Sequence, residues 1–386
     1  MSNDTSDSVL YGNYAFTDSF KSVHYGPGCI TSALPKLLAT VGAKTALVVT
    51  GRSLHTKART DVVRKVEAVL RSHDAYGGTF WEIGEHTPVA NVDAGVRALA
   101  AAGADVLVSV GGGSPIDAAK AIIYRHNEQA GLEKTFLPHI AVPTTLSAAE
   151  YTAGAGITNE EGHKVAVSAH ALAPAGIILD AELTLPTPER LWLSTGIRAL
   201  DHAVGEPIVP HPVKVLCYAA IAELFTFLPL SRADPTDVAA RQRLQVAALM
   251  SLWPLKMETY SPLGISHSLG HKLGATYHIS HGITSCLTLA PVVTLQVQIA
   301  SPAHKRDLAA ALPHIGIPST GSVDGDILKL SSEIDRLVDQ LGLKTDLAAG
   351  GVPRADVPGI AALALGSEEN AHFEKVKLLL EGLYPN

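Results

Sequence analysis

Four histidines crowd one short stretch of this chain, GISHSLGHKLGATYHISHG at residues 264–282: His267, His271, His278 and His281. In a helix, His267 and His271 are four apart and share one face. His281 follows ten residues later, just before Gly282, where a chain reversal returns it to the same small volume. Upstream, GIRALDHAVGE places Arg198 and His202 at the same spacing of four. Two such faces converging on one cavity suit metal binding, proton transfer or anion capture, and Lys272, next to His271, adds a cation. Any single histidine in a chain holding 17 is ordinarily a capping or surface group. The convergent set carries the argument.

A second chemistry is written in the first half. The apolar run DVLVSV (105–110) leads into Gly111, Gly112 and Gly113, and Ser114–Ile122 opens a helix. Strand, glycine turn and helix start together make a phosphate cradle, because bare amides point at the anion and the helix dipole favours it. The pattern is neither GxGxxG nor a Walker sequence. Ser114 and Asp117 fit the first turn of that helix and serve equally as plain caps. HIAVPTTLSAAEYTAG (139–154) supplies a further strand and then Thr144, Thr145, Ser147 and Thr152, hydroxyls for a sugar, a pyrophosphate or a nicotinamide amide.

The elements that must position these groups alternate. Tyr11–His24 reads as an edge hairpin and residues 32–42 as a helix ending at Gly42. KTALVVTG (44–51) reads as a buried parallel strand. Helix follows at Thr60–Ser72, strand at Gly78–Ile83, helix at Val92–Ala102, and the last strand is GIILDAEL (176–183) before the linker PTPER. The β/α alternation predicts a parallel sheet covered on both faces. From about Leu191 strand signals nearly vanish. Helices are expected at 198–206, 213–227, 237–260, 263–273, 284–300, 305–312, 325–341, 357–365 and 371–383, a second, all-helical domain. The expected division is 1–186 and 187–386, which agrees with two cores for a chain of 386 residues.

Composition removes several classes. A hydrophobic content of 47% with 17% charged residues describes a well-buried globular protein. The net charge of −7 argues against nucleic-acid binding. Cys29, Cys217 and Cys286 are scattered and odd in number, which fits a reducing compartment and no disulfide framework. No uninterrupted apolar run reaches about 18 residues and the polar, acidic start MSNDTSDSV is unlike a targeting signal. The expectation is a cytoplasmic protein with neither membrane nor nucleic-acid partner.

GGGSPIDAAKAI, VPTTLSAAEYTAG, GIRALDHAVGE and HSLGHKLGATYHISHG, in that order, resemble the iron-containing (group III) alcohol dehydrogenase superfamily, and within it the maleylacetate reductase branch. The resemblance covers nearly the whole chain. It implies a dehydroquinate synthase-like architecture: a Rossmann-like α/β nucleotide domain, an all-helical domain, and an active site in the cleft between them. It further implies NADPH or NADH as cofactor, a small-molecule substrate and a homodimer. Gly111–Ser114 match the pyrophosphate loop and Asp117 its helix start. Thr144, Thr145 and Ser147 match the hydroxyl loop, and Lys164 matches a lysine near the cofactor ribose. His202, His267 and His281 match three metal-ligand positions, and His271 matches a non-ligand histidine of proton relay.

Two positions depart from that pattern. Arg198 occupies the place of an aspartate ligand, and a guanidinium can neither ligate a divalent cation nor tolerate one beside it. Three imidazoles remain, and three histidines can bind zinc. Maleylacetate reductases also lack the acidic ligand and are regarded as metal-independent, but they usually carry asparagine there. Arg198 also has the simpler option of pairing with Asp201 on the helix surface. At the end of the KTALVVTG strand, Gly51 stands where many members have a ribose-binding aspartate. With Arg52 and Lys57 nearby, that opening admits NADPH. The expected function is a metal-independent NAD(P)H-dependent reductase of a small carboxylated oxo substrate. Its prototype is maleylacetate reduction to 3-oxoadipate in the catabolism of aromatic compounds. Arg198 and Lys272 bind the anion, His271 delivers or relays the proton, and His202, His267 and His281 line the pocket. Three alternatives stay open: a metal-dependent alcohol dehydrogenase using His202, His267 and His281, a non-redox biosynthetic enzyme catalysing elimination or cyclisation on the same scaffold, and, as the outsider, a non-enzymatic binding protein built on it.

Overall fold

The structure is a computed structural model that describes residues 12–15, 20–56, 61–83, 89–131, 136–158, 164–205, 211–252 and 263–385. The start of the chain, Lys57 and the end of the helix expected at 237–260 lie outside the described residues. The chain divides into two compact units, one of residues 1–187 with 236–246, the other of 188–235 with 247–386.

The first unit is built on strands β1 (Gly12–Ala15), β2 (Ser22–Tyr25), β3 (Ala46–Thr50), β4 (Tyr76–Phe80), β5 (Val106–Gly111), β6 (His139–Pro143), β7 (Gly154–Thr158), β8 (Lys164–Ser168) and β9 (Gly176–Leu179). Its helices are α1 (Ile30–Val41), α2 (Arg52–Thr56), α3 (Val62–Ser72), α4 (Val89–Ala102) and α5 (Gly113–Ala130). Seven strands form one sheet in the order β1-β2-β9-β6-β5-β3-β4, and β7 and β8 pair apart from it. Only β1 and β2 run antiparallel in the large sheet, as the edge hairpin expected from the aromatic and β-branched residues there. The apolar runs become its central strands because both faces are covered. Val48, Val108, Val110 and Ile140 pack on one face with Leu34 and Leu37 of α1 and Val66 and Leu70 of α3. Their sequence neighbours Leu47, Val49 and Leu107 pack on the other face with Leu99 of α4 and Ile122 of α5. Each such side chain, fully buried, contributes about 1.5–3 kcal/mol.

This connectivity fixes where a ligand can bind. From β3 the chain crosses through α3 to β4 on one side, then returns through α4 to β5 on the other. The crossover direction therefore reverses between β3 and β5. In open α/β sheets the crevice outside the carboxyl ends of two such strands is the binding site. Those ends carry Gly51 and Gly111, with Pro143 of β6 paired to Gly111 alongside. Residues 236–246 join this unit through buried polar contacts: Arg241 donates to the Thr184 carbonyl, Gln242 to that of Leu179 and Gln245 to that of Pro143.

The second unit is helical. It holds α6 (Glu189–Gly205), α7 (His211–Ala233), the last five residues of α8 (Val238–Ser251), α9 (Ile265–Tyr277), α10 (His281–Ile299), α11 (Pro302–Ala309), α12 (Val323–Gln340), α13 (Val357–Leu365) and α14 (Phe373–Glu381). By length and composition alone, Val213–Ala233 and His281–Ile299 are apolar enough to cross a membrane, although polar residues interrupt both. The second of these is a central core helix, packed against α6, α9 and α12. Leu269, Leu273, Leu287, Val292 and Leu380 form its core with Leu347 and Ile360.

Candidate active site

At the switch point of the first unit, β5 ends at Gly111 with φ +140°, a conformation open to glycine and costly to a side chain. Gly112 is the N-cap of α5, with no side chain capping the helix, so the first-turn amides stay available. A Cβ on Gly112 would stand 3.0 Å from Thr145 Cγ2, and one on Gly113 would stand 3.4 Å from Ser147 Oγ. The hydroxyl loop thus lies directly against the glycine turn. The Thr144 amide donates to the Gly111 carbonyl (2.9 Å), Thr187 Oγ1 donates to the Thr144 carbonyl (2.7 Å), and the Thr145 and Ser147 hydroxyls share a hydrogen bond of 3.0 Å. Gly111–Ser114, Thr144, Thr145 and Ser147 are therefore brought together.

Asp117 and Thr152 have a different employment. Lys120 is fully buried, and its ammonium shares three hydrogens among four acceptors, Asp117 Oδ1 (3.0 Å), Thr152 Oγ1 (2.8 Å), and the Ala149 (2.7 Å) and Gly154 (3.0 Å) carbonyls. The Thr152 hydroxyl in turn donates to the Ala149 carbonyl. Asp117 and Thr152 hold this lysine, which ties the hydroxyl loop to α5. The sequence reading passed over Lys120; a lysine amid AAKAII, three residues after an aspartate, was the available signal. Beside it, burial raises the Glu150 carboxyl to about 7. Gly51 and Arg52 lie where β3 meets α2, and the Arg52 guanidinium stands 5.7 Å from the ring centre of Trp81, which stacks on His55. Lys164 opens β8, paired in register with Thr158; its side chain lies outside the described residues.

The second constellation belongs to α6, α9 and α10. Glycines let these helices approach: a Cβ on Gly282 would stand 2.6 Å from the Ser194 carbonyl carbon, one on Gly270 2.7 Å from Thr284 Oγ1 and 3.1 Å from Arg198 Nη1, and one on Gly274 3.0 Å from the His281 ring. His278 ends α9 with φ +57°, making the reversal that brings His281 back as the first residue of α10. The rings then form a chain, with centroid separations of 5.3 Å for His202–His267, 4.6 Å for His267–His271 and 5.2 Å for His271–His281. Lys272 is half-buried one position round α9, about 100° from His271. The hydrogen bonds of the cluster run through its neighbours instead.

Arg198 is at the centre. Its Nη2 lies 3.0 Å from His267 Nε2, and its Nη1 reaches Ser285 Oγ (3.1 Å) and Asp201 Oδ2 (3.3 Å). The pairing with Asp201 exists, but not at the surface: the two side chains are 5% and 0% exposed, because α7, α9 and α10 cover α6. Burial pulls both groups toward neutrality; the opposite charge of the partner counters this, and the Ser285 hydroxyl bonds to the carboxylate as well. The two donors on Asp201 Oδ2 favour its ionised form. Burial, then the guanidinium, hold His267 far below the usual imidazole range, and the same two causes lower His202. Both rings are neutral near pH 7. Arginine only donates, so His267 Nε2 is the acceptor and its proton is on Nδ1. His271 Nε2, 2.8 Å from that same nitrogen, must then carry its own hydrogen. Among the described residues, no group of three or more His, Cys, Asp or Glu side chains is arranged to hold a metal ion.

Comparison with known proteins agrees with this architecture. Residues 21–181 match the model of the iron-containing alcohol dehydrogenases, and residues 193–379 match that of the C-terminal region of the same family. A maleylacetate reductase from a Rhizobium species is 32% identical over 292 residues, covering 74% of this chain and 75% of that protein. The bifunctional aldehyde-alcohol dehydrogenase of Escherichia coli is 27% identical over 379 residues; the match takes in 87% of this chain but spans only 41% of that protein. The crystal structure of a 1,3-propanediol oxidoreductase superposes with a TM-score of 0.84 at 24% identity, covering 97% of this chain and 100% of that one, which establishes the fold. The chain belongs to the iron-containing alcohol dehydrogenase family, on its maleylacetate reductase-like branch.

Proposed function

We propose that this chain is an NAD(P)H-dependent oxidoreductase that reduces a small carboxylated oxo substrate of the maleylacetate type without a metal. The observation that carries the reading is the Arg198 guanidinium, 3.0 Å from the lone-pair nitrogen of His267. The family name implies iron, and three imidazoles alone suit a divalent cation. Here a permanent cation already bonds one of them, in the place of an acidic ligand. This donor set does not fit a divalent metal. Orientation and charge stabilisation, which a metal gives a carbonyl or carboxylate, are within the reach of a guanidinium through parallel hydrogen bonds.

The first unit fits a nicotinamide dinucleotide, since a Cβ at Gly112 would fill the space beside Thr145 and the α5 amides stay uncapped. The bound cofactor supplies the hydride. Gly111–Gly113 offer backbone amides to its pyrophosphate, and Thr145 and Ser147 offer hydroxyls beside them. Gly51 leaves no carboxylate to repel a 2′-phosphate, so NADPH is accepted alongside NADH. In the second unit Arg198 holds a carboxylate or developing oxyanion. His267 stays neutral, and its one Nε2 lone pair is shared between the N–H groups of Arg198 and His271. His271 Nε2–H is therefore occupied, and the imidazolium form of His271, protonated on both nitrogens, gives the substrate its Nδ1 proton and is left neutral.

Oxidation of NADPH by the purified chain with maleylacetate, set against reduction of NAD+ or NADP+ with 1,3-propanediol as the rival substrate, tests the reading. Maleylacetate-dependent oxidation of NADPH is expected. Turnover of the simple alcohol alone, and only with added iron, would show a metal-dependent dehydrogenase instead.

A further inference from the structure

We propose that Asp201, braced by Ser285, is a positioning residue: its carboxylate fixes the Arg198 guanidinium and thereby where the anionic group of the substrate is held. The inference rests on the role given to Arg198 above.

Asp201, Arg198 and Ser285 close a ring of hydrogen bonds. Arg198 Nη1 donates to Asp201 Oδ2 and to Ser285 Oγ, while Ser285 Oγ donates to the same Asp201 oxygen at 2.6 Å. The ring spends both hydrogens of Nη1. The carboxylate is thus held from α6 and α10. The planar guanidinium has five donors; two face this ring and one faces His267, which leaves two, on Nε and Nη2, for a ligand. A Cβ at Gly270 would lie 3.1 Å from Nη1, so α9 closes the remaining side without a side chain.

The placement follows from helix geometry. Asp201 and His202 are three and four residues after Arg198, so they flank it on one face of α6. Ser285 is four residues after His281, on the face of α10 that also presents that ring. A mobile arginine would have to be ordered on binding, at a cost in affinity. A buried one without a counter-charge is strongly unfavourable. Asp201 removes both difficulties. Its side chain is 0% exposed, which rules out contact with substrate and leaves it to act through Arg198.

The test uses the full chain as wild type, Asp201→Asn, Ser285→Ala, Arg198→Met and the double variant Arg198→Met/Asp201→Asn. Two readouts are taken: steady-state NADPH oxidation with maleylacetate in excess chelator, and the ¹⁵N spectrum of the histidine side chains. For Asp201→Asn a loss of about thirtyfold or more in kcat/KM is expected, carried mainly by KM, and for Ser285→Ala a loss of about three- to tenfold. On the Arg198→Met background, Asp201→Asn should change kcat/KM by less than about twofold, because its whole effect passes through Arg198. In Asp201→Asn the His267 Nε2 signal should move to its position in Arg198→Met. Wild-type kinetics and spectrum in Asp201→Asn, with Arg198→Met impaired, overturn the proposal and leave the role of Arg198 standing. Wild-type behaviour of Arg198→Met overturns that role and the proposal with it. If Asp201→Asn does not fold, Ser285→Ala decides: unchanged kinetics and spectrum overturn the proposal, a partial shift of both supports it. If the wild type does not turn over maleylacetate, the functional reading fails and the His267 signal alone decides the positioning.

Discussion

Replacing Gly270 by alanine sets two effects of known size against each other. In an exposed helix interior the change stabilises by about 1 kcal/mol, through helix propensity. Here the new Cβ would stand 2.7 Å from Thr284 Oγ1 and 3.1 Å from Arg198 Nη1, against the 3.4–4 Å of ordinary contact. Neither neighbour yields freely. Thr284 Oγ1 donates to the His281 carbonyl (2.8 Å), and Arg198 is tied to Asp201 and Ser285. Overpacking of a filled interior costs about 1–3 kcal/mol. The net expectation is a loss of about 0–2 kcal/mol in stability, the packing cost less the propensity gain. Activity should suffer more, because a displaced guanidinium loses its charge-assisted contact, and about 10- to 100-fold in kcat/KM is expected. Urea unfolding followed by NADPH oxidation with maleylacetate measures both. A variant about 1 kcal/mol more stable than wild type, as propensity alone gives, and fully active would refute the packing of Arg198 against α9.

Two further outcomes follow from the first unit. Gly112→Val should weaken NADPH binding strongly in calorimetry while the chain stays folded, since the side chain enters the space between Thr145 and the incoming pyrophosphate; unchanged affinity would sink the cradle. Burial raises Glu150 to about 7 from an ordinary 4.5, so the folded state holds its proton more tightly than the unfolded chain does. Stability from this group is complete below about pH 4.5 and falls as pH rises through 7, by at most about 3 kcal/mol. Glu150→Gln should therefore gain stability over wild type at pH 8 and lose that advantage toward pH 5, and a pH-independent difference would contradict the assignment.

The parts of the fold legible in sequence are those whose signal is local. KTALVVTG and DVLVSV read as strands because both of their faces are buried, and residues 32–42 read as a helix because Leu34, Leu37 and Leu38 fall on one face. The β7–β8 hairpin went unread: GAGIT and KVAVS are short, and glycine and alanine blur the alternation. The helix α6 starts at Glu189, nine residues before the expected Arg198: Pro188 precedes its first turn, inside the PTPER stretch expected as linker. In the site, the histidines were legible from their spacing of four, although the reversal falls at His278 and not beside Gly282 as expected. Ser285 was not, for its bond to Asp201 joins residues 84 apart. Neither was the burial of the Arg198–Asp201 pair, since spacing shows which residues share a helix face and not which helices cover it. Lys120 was missed for the same reason, its four acceptors coming together only when the hydroxyl loop folds onto α5.

The central claim is that Arg198 does in this chain what a metal does elsewhere in the family. Its most direct test is the turnover of maleylacetate by the wild type in excess chelator, with the metal content of the same sample measured and iron or zinc then added back. Full activity without metal, unchanged by the addition, is the predicted result, together with near-complete loss in Arg198→Ala. If the chelated enzyme is inactive and added metal restores it, Arg198 is a neighbour of a surviving three-histidine metal site and the claim is wrong.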